Sequence, residues 1–175
     1  WHILGRPSFF FGQPVHQLFF RSKLALRCLA AFCFAWFWGG GADWHSFRQS
    51  DTASVARIFV ERGIDLLHPR YHDLSNIQSG DDNPEGWRMV EFPLYQGVAA
   101  VISRAFPKIT IELSLRFVTI AAAAGTVVLL SSMFGLAAGF VYTILPYSIF
   151  FGRTVLPETF AVFWAMLSLY LLNRS

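Results

Sequence analysis

Charge is the first thing this chain has little of: 14% of its residues are Asp, Glu, Lys or Arg, against about 25% in an ordinary soluble domain. From Phe117 to Gly152 charge is missing altogether, with no Asp, Glu, Lys, Arg or His over 36 residues. As one helix that run would be about 54 Å long at about 1.5 Å per residue, far more than a hydrocarbon layer of about 30 Å. It must therefore turn back on itself. Cysteine is nearly absent too. Cys28 and Cys33 sit inside an apolar run without metal-ligand spacing, which excludes a disulfide framework and a zinc module. No stripe of Lys and Arg with interleaved aromatics accompanies the net charge of +3, so nucleic acid is set aside as a partner. No internal repeat or low-complexity tract is evident. What is abundant is apolar: 54% hydrophobic and 17% aromatic residues, clustered instead of periodic, which points to the lipid bilayer as solvent.

The runs predict an all-α polytopic membrane protein. Residues 1–23 carry Arg6, Arg21 and Lys23 and form a cytoplasmic N-terminal segment ahead of a first transmembrane helix over 24–42, by the positive-inside tendency. A cleaved secretory signal ending at Gly40-Gly41-Ala42 is the rival reading. Residues 43–112 hold most of the acidic residues and form a structured extracytoplasmic loop with two amphipathic helices. The first, over 52–62, places Val55, Ile58 and Phe59 on one face, with Arg57 and Glu61 elsewhere, and stops at Gly63. The second, over 93–106, is short for a span and is expected at the interface. Three further transmembrane helices fill 113–173: Leu113–Ser131, Leu136–Phe151 and Thr159–Leu172, with Ser131–Gly135 as a turn and Pro146 as the one internal break. Four spans return both ends to the cytoplasm. A chain that opens on Trp1 and stops at Arg174-Ser175, just after an apolar segment, is expected to be part of something longer.

This topology sends the loop and the turn Arg153–Glu158 to the same non-cytoplasmic face. The candidate site there is Asp51, Glu91, Arg153 and Glu158, with Arg48 and Arg116 nearby. A carboxylate beside apolar membrane surface is partly desolvated and becomes a stronger base, suited to taking a proton from a hydroxyl, while arginines suit a phosphate.

Four separated motifs carry a resemblance. They are Ser46-Phe47-Arg48-Gln49-Ser50-Asp51-Thr52-Ala53, Glu91-Phe92-Pro93-Leu94-Tyr95, Leu115-Arg116-Phe117, and Arg153-Thr154-Val155-Leu156-Pro157-Glu158. In this order they resemble the N-terminal part of the polyprenyl-phosphate-sugar-dependent membrane glycosyltransferases of GT-C fold, relatives of the protein O-mannosyltransferases and the lipid A aminoarabinose transferase. The resemblance implies a GT-C-like helical bundle fragment in a bacterial inner (plasma) membrane, with its site facing the periplasm or exterior. It implies a polyprenyl-phosphate-linked sugar as donor, a hydroxyl acceptor, Asp51 as catalytic base, and Glu91 near the lipid phosphate or a divalent metal ion. Arg153, Glu158, Arg116 and Arg48 would serve donor phosphate or sugar binding. One departure is Phe92, where some relatives carry Lys directly after the Glu.

Plainer readings stand beside these. Asp51 would cap a helix beginning at Thr52, Glu91 would close a loop before a proline turn, and Arg153 with Glu158 would anchor helix ends. His68 and His72 read as solvated loop residues, and Gly80-Asp81-Asp82-Asn83 as a turn without the alternating acids of a calcium loop. Trp36, Trp38, Trp44 and Tyr147 read as an interfacial belt. A non-catalytic membrane scaffold and a transporter are the rival classes, the latter disfavoured by the uncharged middle of the apolar run.

Overall fold

Glycine and proline punctuate the chain and decide where its helices end. The computed structural model describes residues 46–74 and 82–174. The first span over 24–42, both cysteines, Trp36, Trp38 and Trp44, and the Gly80-Asp81 half of the acidic turn lie outside the described residues.

Six helices occur among the described residues: α1 Ser46–Arg62, α2 Leu94–Ala105, α3 Ile111–Phe134, α4 Leu136–Ile144, α5 Pro146–Phe151 and α6 Glu158–Leu172. Helix α1 buries Val55, Ile58 and Phe59 as the periodicity demands, and Gly63 stops it at a φ of 110°, a conformation that costs a glycine least. Its start corrects the expectation: the helix begins at Ser46 and not at Thr52, so Asp51 lies inside it and caps nothing. Three residues apart on α1, Arg48 and Asp51 share a face.

Helix α2 packs through small residues, Gly97, Ala99 and Ala100, all buried. A Cβ at Gly97 would sit 3.1 Å from the Leu66 side chain, a tight approach that Leu66 would have to yield to. The Arg104 guanidinium donates to the Val60 carbonyl through Nε (3.3 Å) and Nη2 (2.9 Å), satisfying a carbonyl near the end of α1. Thr110 caps α3, its Oγ1 accepting from the Leu113 N–H at 3.3 Å.

Helix α3 runs for 24 residues, two earlier and three later than the expected span, and is about 36 Å long. It is the one helix among the described residues long and apolar enough to cross a membrane. The expected span over 136–151 is broken: Leu145 is extended (φ −62°, ψ 128°) between α4 and α5. The cause is Pro146, whose ring disfavours helical backbone at the preceding residue. Gly135, at φ 92°, reverses the chain, and α4 lies so close on α3 that a Cβ at Gly139 would overlap Ser131 Oγ. Gly125 likewise admits the Phe163 ring of α6. Small residues at crossings are how apolar helices approach closely where lipid removes the hydrophobic drive between them.

Ala53 and Ala56 of α1, Tyr95 and Ala99 of α2, and Ile111, Leu115 and Val118 of α3 form one buried cluster, which Val155 joins from the turn before α6. That cluster is the floor of the candidate site.

Candidate functional site

The site assembles where three stretches far apart in sequence meet over this floor. The first is the N-terminal half of α1. Gln49 reaches from it to the turn before α6, its Oε1 accepting the Val155 N–H at 3.0 Å. That turn is itself fixed, because the Phe151 carbonyl left at the end of α5 accepts from both Thr154 Oγ1 and Thr159 Oγ1 at 3.1 Å. Glu158, the first residue of α6, is thereby held beside α1. From the third stretch Glu91 arrives just before the Pro93 turn into α2.

Arg48 joins the two glutamates. Its Nη2 lies 3.1 Å from Glu91 Oε2 and its Nη1 lies 2.8 Å from Glu158 Oε1. Gln96 Nε2 donates to the other Glu91 oxygen at 3.0 Å. Beneath them Tyr95 is buried, its hydroxyl donating to the Leu115 carbonyl at 2.9 Å and lying 2.7 Å from Thr119 Oγ1. Burial raises the Tyr95 phenol well above its ordinary value, the negative fields of Glu158 and Glu91 add to that, and Arg116 opposes them. Tyr95 is thus a neutral hydroxyl around which Glu91, Glu158 and Arg116 gather.

Asp51 lies on the other wall, only 6% exposed. Its Oδ2 is 3.1 Å from Arg88 Nη2, within ion-pair range but without hydrogen-bond geometry, so that buried oxygen accepts no hydrogen bond. Burial raises the Asp51 carboxyl above the usual Asp value; Arg88 lowers it, and Asp73 raises it further. Asp51, Thr52, Val55, Pro69, Arg88, Glu91, Pro93 and Gln96 line a narrow cleft. Two further buried oxygens near this network, Gln96 Oε1 and Glu158 Oε2, are also without a partner. Buried polar atoms left unpaired are costly, and their concentration here marks groups kept for something other than stability.

Of the six residues singled out in the sequence, Arg48, Glu91 and Glu158 are in direct contact, Asp51 shares the cleft with Glu91, and Arg116 acts on the same tyrosine. Arg153 is different: it lies half-buried in the turn after α5, and among the described residues its guanidinium makes no ion pair. The expected phosphate role of Arg48 meets a finding of its own, since both terminal nitrogens already face carboxylates. The metal expectation fails the test of fit. Arg48 stands between Glu91 and Glu158, Gln96 takes the remaining Glu91 oxygen, and no group of three His, Cys, Asp or Glu among the described residues could hold an ion. No step is routed through a metal.

Four residues of the site escaped the sequence reading. Tyr95 closes the quoted Glu91 motif and Gln96 follows it directly, at a spacing that the start of α2 turns toward Glu91, a signal that was available. Gln49 lay inside a quoted motif with no chemistry to flag it. Arg88 had no signal, because it belongs to an irregular segment. That segment is held by tertiary bonds: Tyr71 N–H to the Gly86 carbonyl (2.8 Å), Arg88 N–H to the Pro69 carbonyl (2.9 Å), and the Asn83 side chain to both Trp87 backbone groups. Both histidines are exposed loop residues, as expected, and each has a partner. His72 meets Ser54 Oγ through its backbone N–H (2.8 Å) and Nδ1 (2.7 Å), and His68 Nδ1 lies 3.1 Å from Asp65 Oδ2.

No protein-family model, no curated protein and no solved structure matches this chain.

Proposed function

We propose that the chain is the N-terminal, membrane-embedded module of a GT-C-like glycosyltransferase, moving a sugar from a polyprenyl phosphate to a hydroxyl acceptor at the non-cytoplasmic face of a bacterial inner membrane. The observation that carries this reading is the convergence of three separated stretches, with Asp51 and Glu91 lining one cleft and Glu158 tied to Glu91 through Arg48, beside an apolar helix of membrane length.

The chemistry follows from the inventory. A phosphate leaving group is already a weak base and needs no general acid. Asp51 takes the proton of the acceptor hydroxyl, the acceptor oxygen bonds to the anomeric carbon, and the bond from that carbon to the phosphate oxygen breaks with its electron pair leaving on the phosphate. One displacement inverts the centre. Arg116 and Arg153, which make no ion pair among the described residues, are the cations for the phosphate, and the Glu91–Arg48–Glu158 chain presents acceptors to sugar hydroxyls.

Two further features support the membrane part of the reading. Helices α4 to α6 turn large apolar side chains outward, among them Phe140, Ile144, Trp164 and Leu171, a surface suited to lipid and too extensive for water. We read them as two further spans, the first of them made of α4 and α5. Beside the charged network, Phe47 is 71% and Phe92 63% exposed, an apolar rim along which a polyprenyl chain can approach. The break at Leu145–Pro146 is a feature transporters share, yet no ionisable residue of the apolar run stands there to coordinate an ion.

The test is Asp51→Asn in the intact protein, assayed with a polyprenyl-phosphate sugar. Because Asp51 is inside α1 and caps nothing, the isosteric amide leaves the helix standing. Loss of the general base should lower transfer about 10²–10⁴-fold with donor binding retained. Transfer within about twofold of the parent removes Asp51 from the mechanism.

A further inference from the structure

Arg88 faces Asp51 on terms unlike any other arginine of the site. Arg48 is hydrogen-bonded to Glu91 and lies 2.8 Å from Glu158, tied at two points. Arg88 meets Asp51 through a single nitrogen without hydrogen-bond alignment, and its guanidinium lies 5.2 Å over the Tyr71 ring. Its backbone is pinned by the Pro69 carbonyl, while its side chain remains a quarter exposed at the cleft. A one-point contact is cheap to exchange for a two-point one, and a phosphate offers a guanidinium two oxygens at once.

We propose that Arg88 is a transferable cation: in the resting site it neutralises Asp51, and on donor binding it moves to the lipid phosphate, leaving Asp51 as an unpaired buried carboxylate able to act as base. This rests on the donor reading above and adds to it a residue and an order of events. The buried Asp51 Oδ2 has no hydrogen bond to take over when Arg88 leaves. The other charges that face it are Asp73, Arg48 one turn earlier on α1, and Glu91 across the cleft. Asp73 acts in the same direction as the loss of Arg88, and burial does the rest. The base is then strengthened only when a leaving group is in place, which protects the activated acceptor from idle proton exchange with water.

The experiment reads the Asp51 carboxyl directly, by 13C-aspartate NMR of the full-length protein in lipid nanodiscs, with Asp51→Asn identifying the signal. Undecaprenyl phosphate is the probe and undecaprenol the control. In the parent, saturating undecaprenyl phosphate should raise the Asp51 pKa and undecaprenol should leave it in place. In Arg88→Gln the resting pKa should already be raised, the further rise on adding the phosphate should be smaller than in the parent, and binding of the phosphate should weaken about tenfold or more. Arg88→Lys keeps a cation without the fork and should fall between the two, which separates loss of charge from loss of packing. Equal rises in parent and Arg88→Gln, or unchanged phosphate affinity in Arg88→Gln, overturn the proposal while leaving the donor site intact. Failure of the parent itself to bind undecaprenyl phosphate overturns the donor reading and this inference together.

Discussion

The two ends of the molecule bury opposite kinds of residue. Around α1, α2 and the segment between them, apolar residues such as Val55, Phe59 and Tyr95 are buried, while charges at the surface meet one another: Arg57 with Glu112 and Arg70 with Glu85. In α3 beyond its first turns and in α4 to α6, the buried positions other than Leu129 go to small or hydroxylated residues, among them Ala123, Thr126, Gly139, Ser148 and Thr159, and many large apolar side chains point outward. The first pattern suits water and the second suits lipid, where every backbone group must be satisfied internally and close approach of backbones supplies the packing. Thr126 Oγ1 and Ser168 Oγ are returned to their own helices, donating to the Ala122 carbonyl at 2.9 Å and the Trp164 carbonyl at 2.8 Å, while Thr159 Oγ1 of α6 donates to the Phe151 carbonyl of α5. The candidate site lies at the seam, where the buried Asp51 and the partly buried Glu91 and Glu158 coexist with charged partners.

The strongest way to break this comparison is to put the same charge into both surfaces. Phe140→Lys, in the outward face of α4, should cost about 2.5–3.5 kcal/mol of membrane insertion if α4 lies deep in the bilayer, whereas Leu67→Lys, equally exposed but in the segment after α1, should change stability by less than about 0.5 kcal/mol. Insertion of α3 to α6 in a glycosylation-tag reporter and thermal midpoints in detergent measure the two. Equal tolerance of both lysines would make the outward face of α4 an ordinary protein surface.

A next, smaller effect tests the packing by small residues. At Gly139 a new side chain meets Ser131 Oγ and, at 3.1 Å, the Val127 carbonyl, which is backbone and cannot swing aside. Gly139→Val should destabilise the α3–α4 hairpin by about 1–3 kcal/mol, visible as a lowered thermal midpoint with helix content retained. A neutral result would mean that α4 is free to move off α3.

Tyr95 joins the two regions, and its removal should be milder than its burial suggests. In Tyr95→Phe the Leu115 carbonyl keeps Thr119 Oγ1 as donor at 3.1 Å, so neither partner is orphaned. The expected loss is about 0.5–1.5 kcal/mol by denaturant titration, and a much larger one would show that the hydroxyl organises Glu91 and Glu158 as well.

The sequence made the helical class and the long apolar helix legible and left much of the geometry hidden, for physical reasons. Periodicity located the buried face of α1 because Val55, Ile58 and Phe59 repeat at helical spacing, but it missed six residues at the start, where Arg48 and Asp51 are polar groups turned inward and therefore invert the pattern. The break in the expected third span was foreshadowed by Pro146, whose effect on Leu145 is local. Long-range partners were not readable: nothing in an apolar or charged run says that Arg48 will lie between Glu91 and Glu158, or that Arg88 will face Asp51, since those pairings depend on how α1, α2 and the turn before α6 pack.

The smallest expected effect is also the one whose sign separates the two electrostatic forces on Asp51. Burial pushes its carboxyl up and Arg88 pulls it down, and the net direction is upward. An acid whose folded pKa lies above its unfolded value binds its proton more tightly in the native state. Its contribution is therefore most favourable at low pH and is lost as pH rises from the unfolded value, near 3.8, through the raised folded one. Asp51→Asn cannot titrate and removes that loss. The thermal midpoint of Asp51→Asn relative to the parent should climb as pH is raised from about 3 through that window and then level off, with the variant the more stable protein on the plateau relative to its standing at low pH. A relative midpoint that falls over the same range would mean that Arg88 outweighs burial and that Asp51 rests as a stabilised anion, a weaker base than the cleft geometry implies.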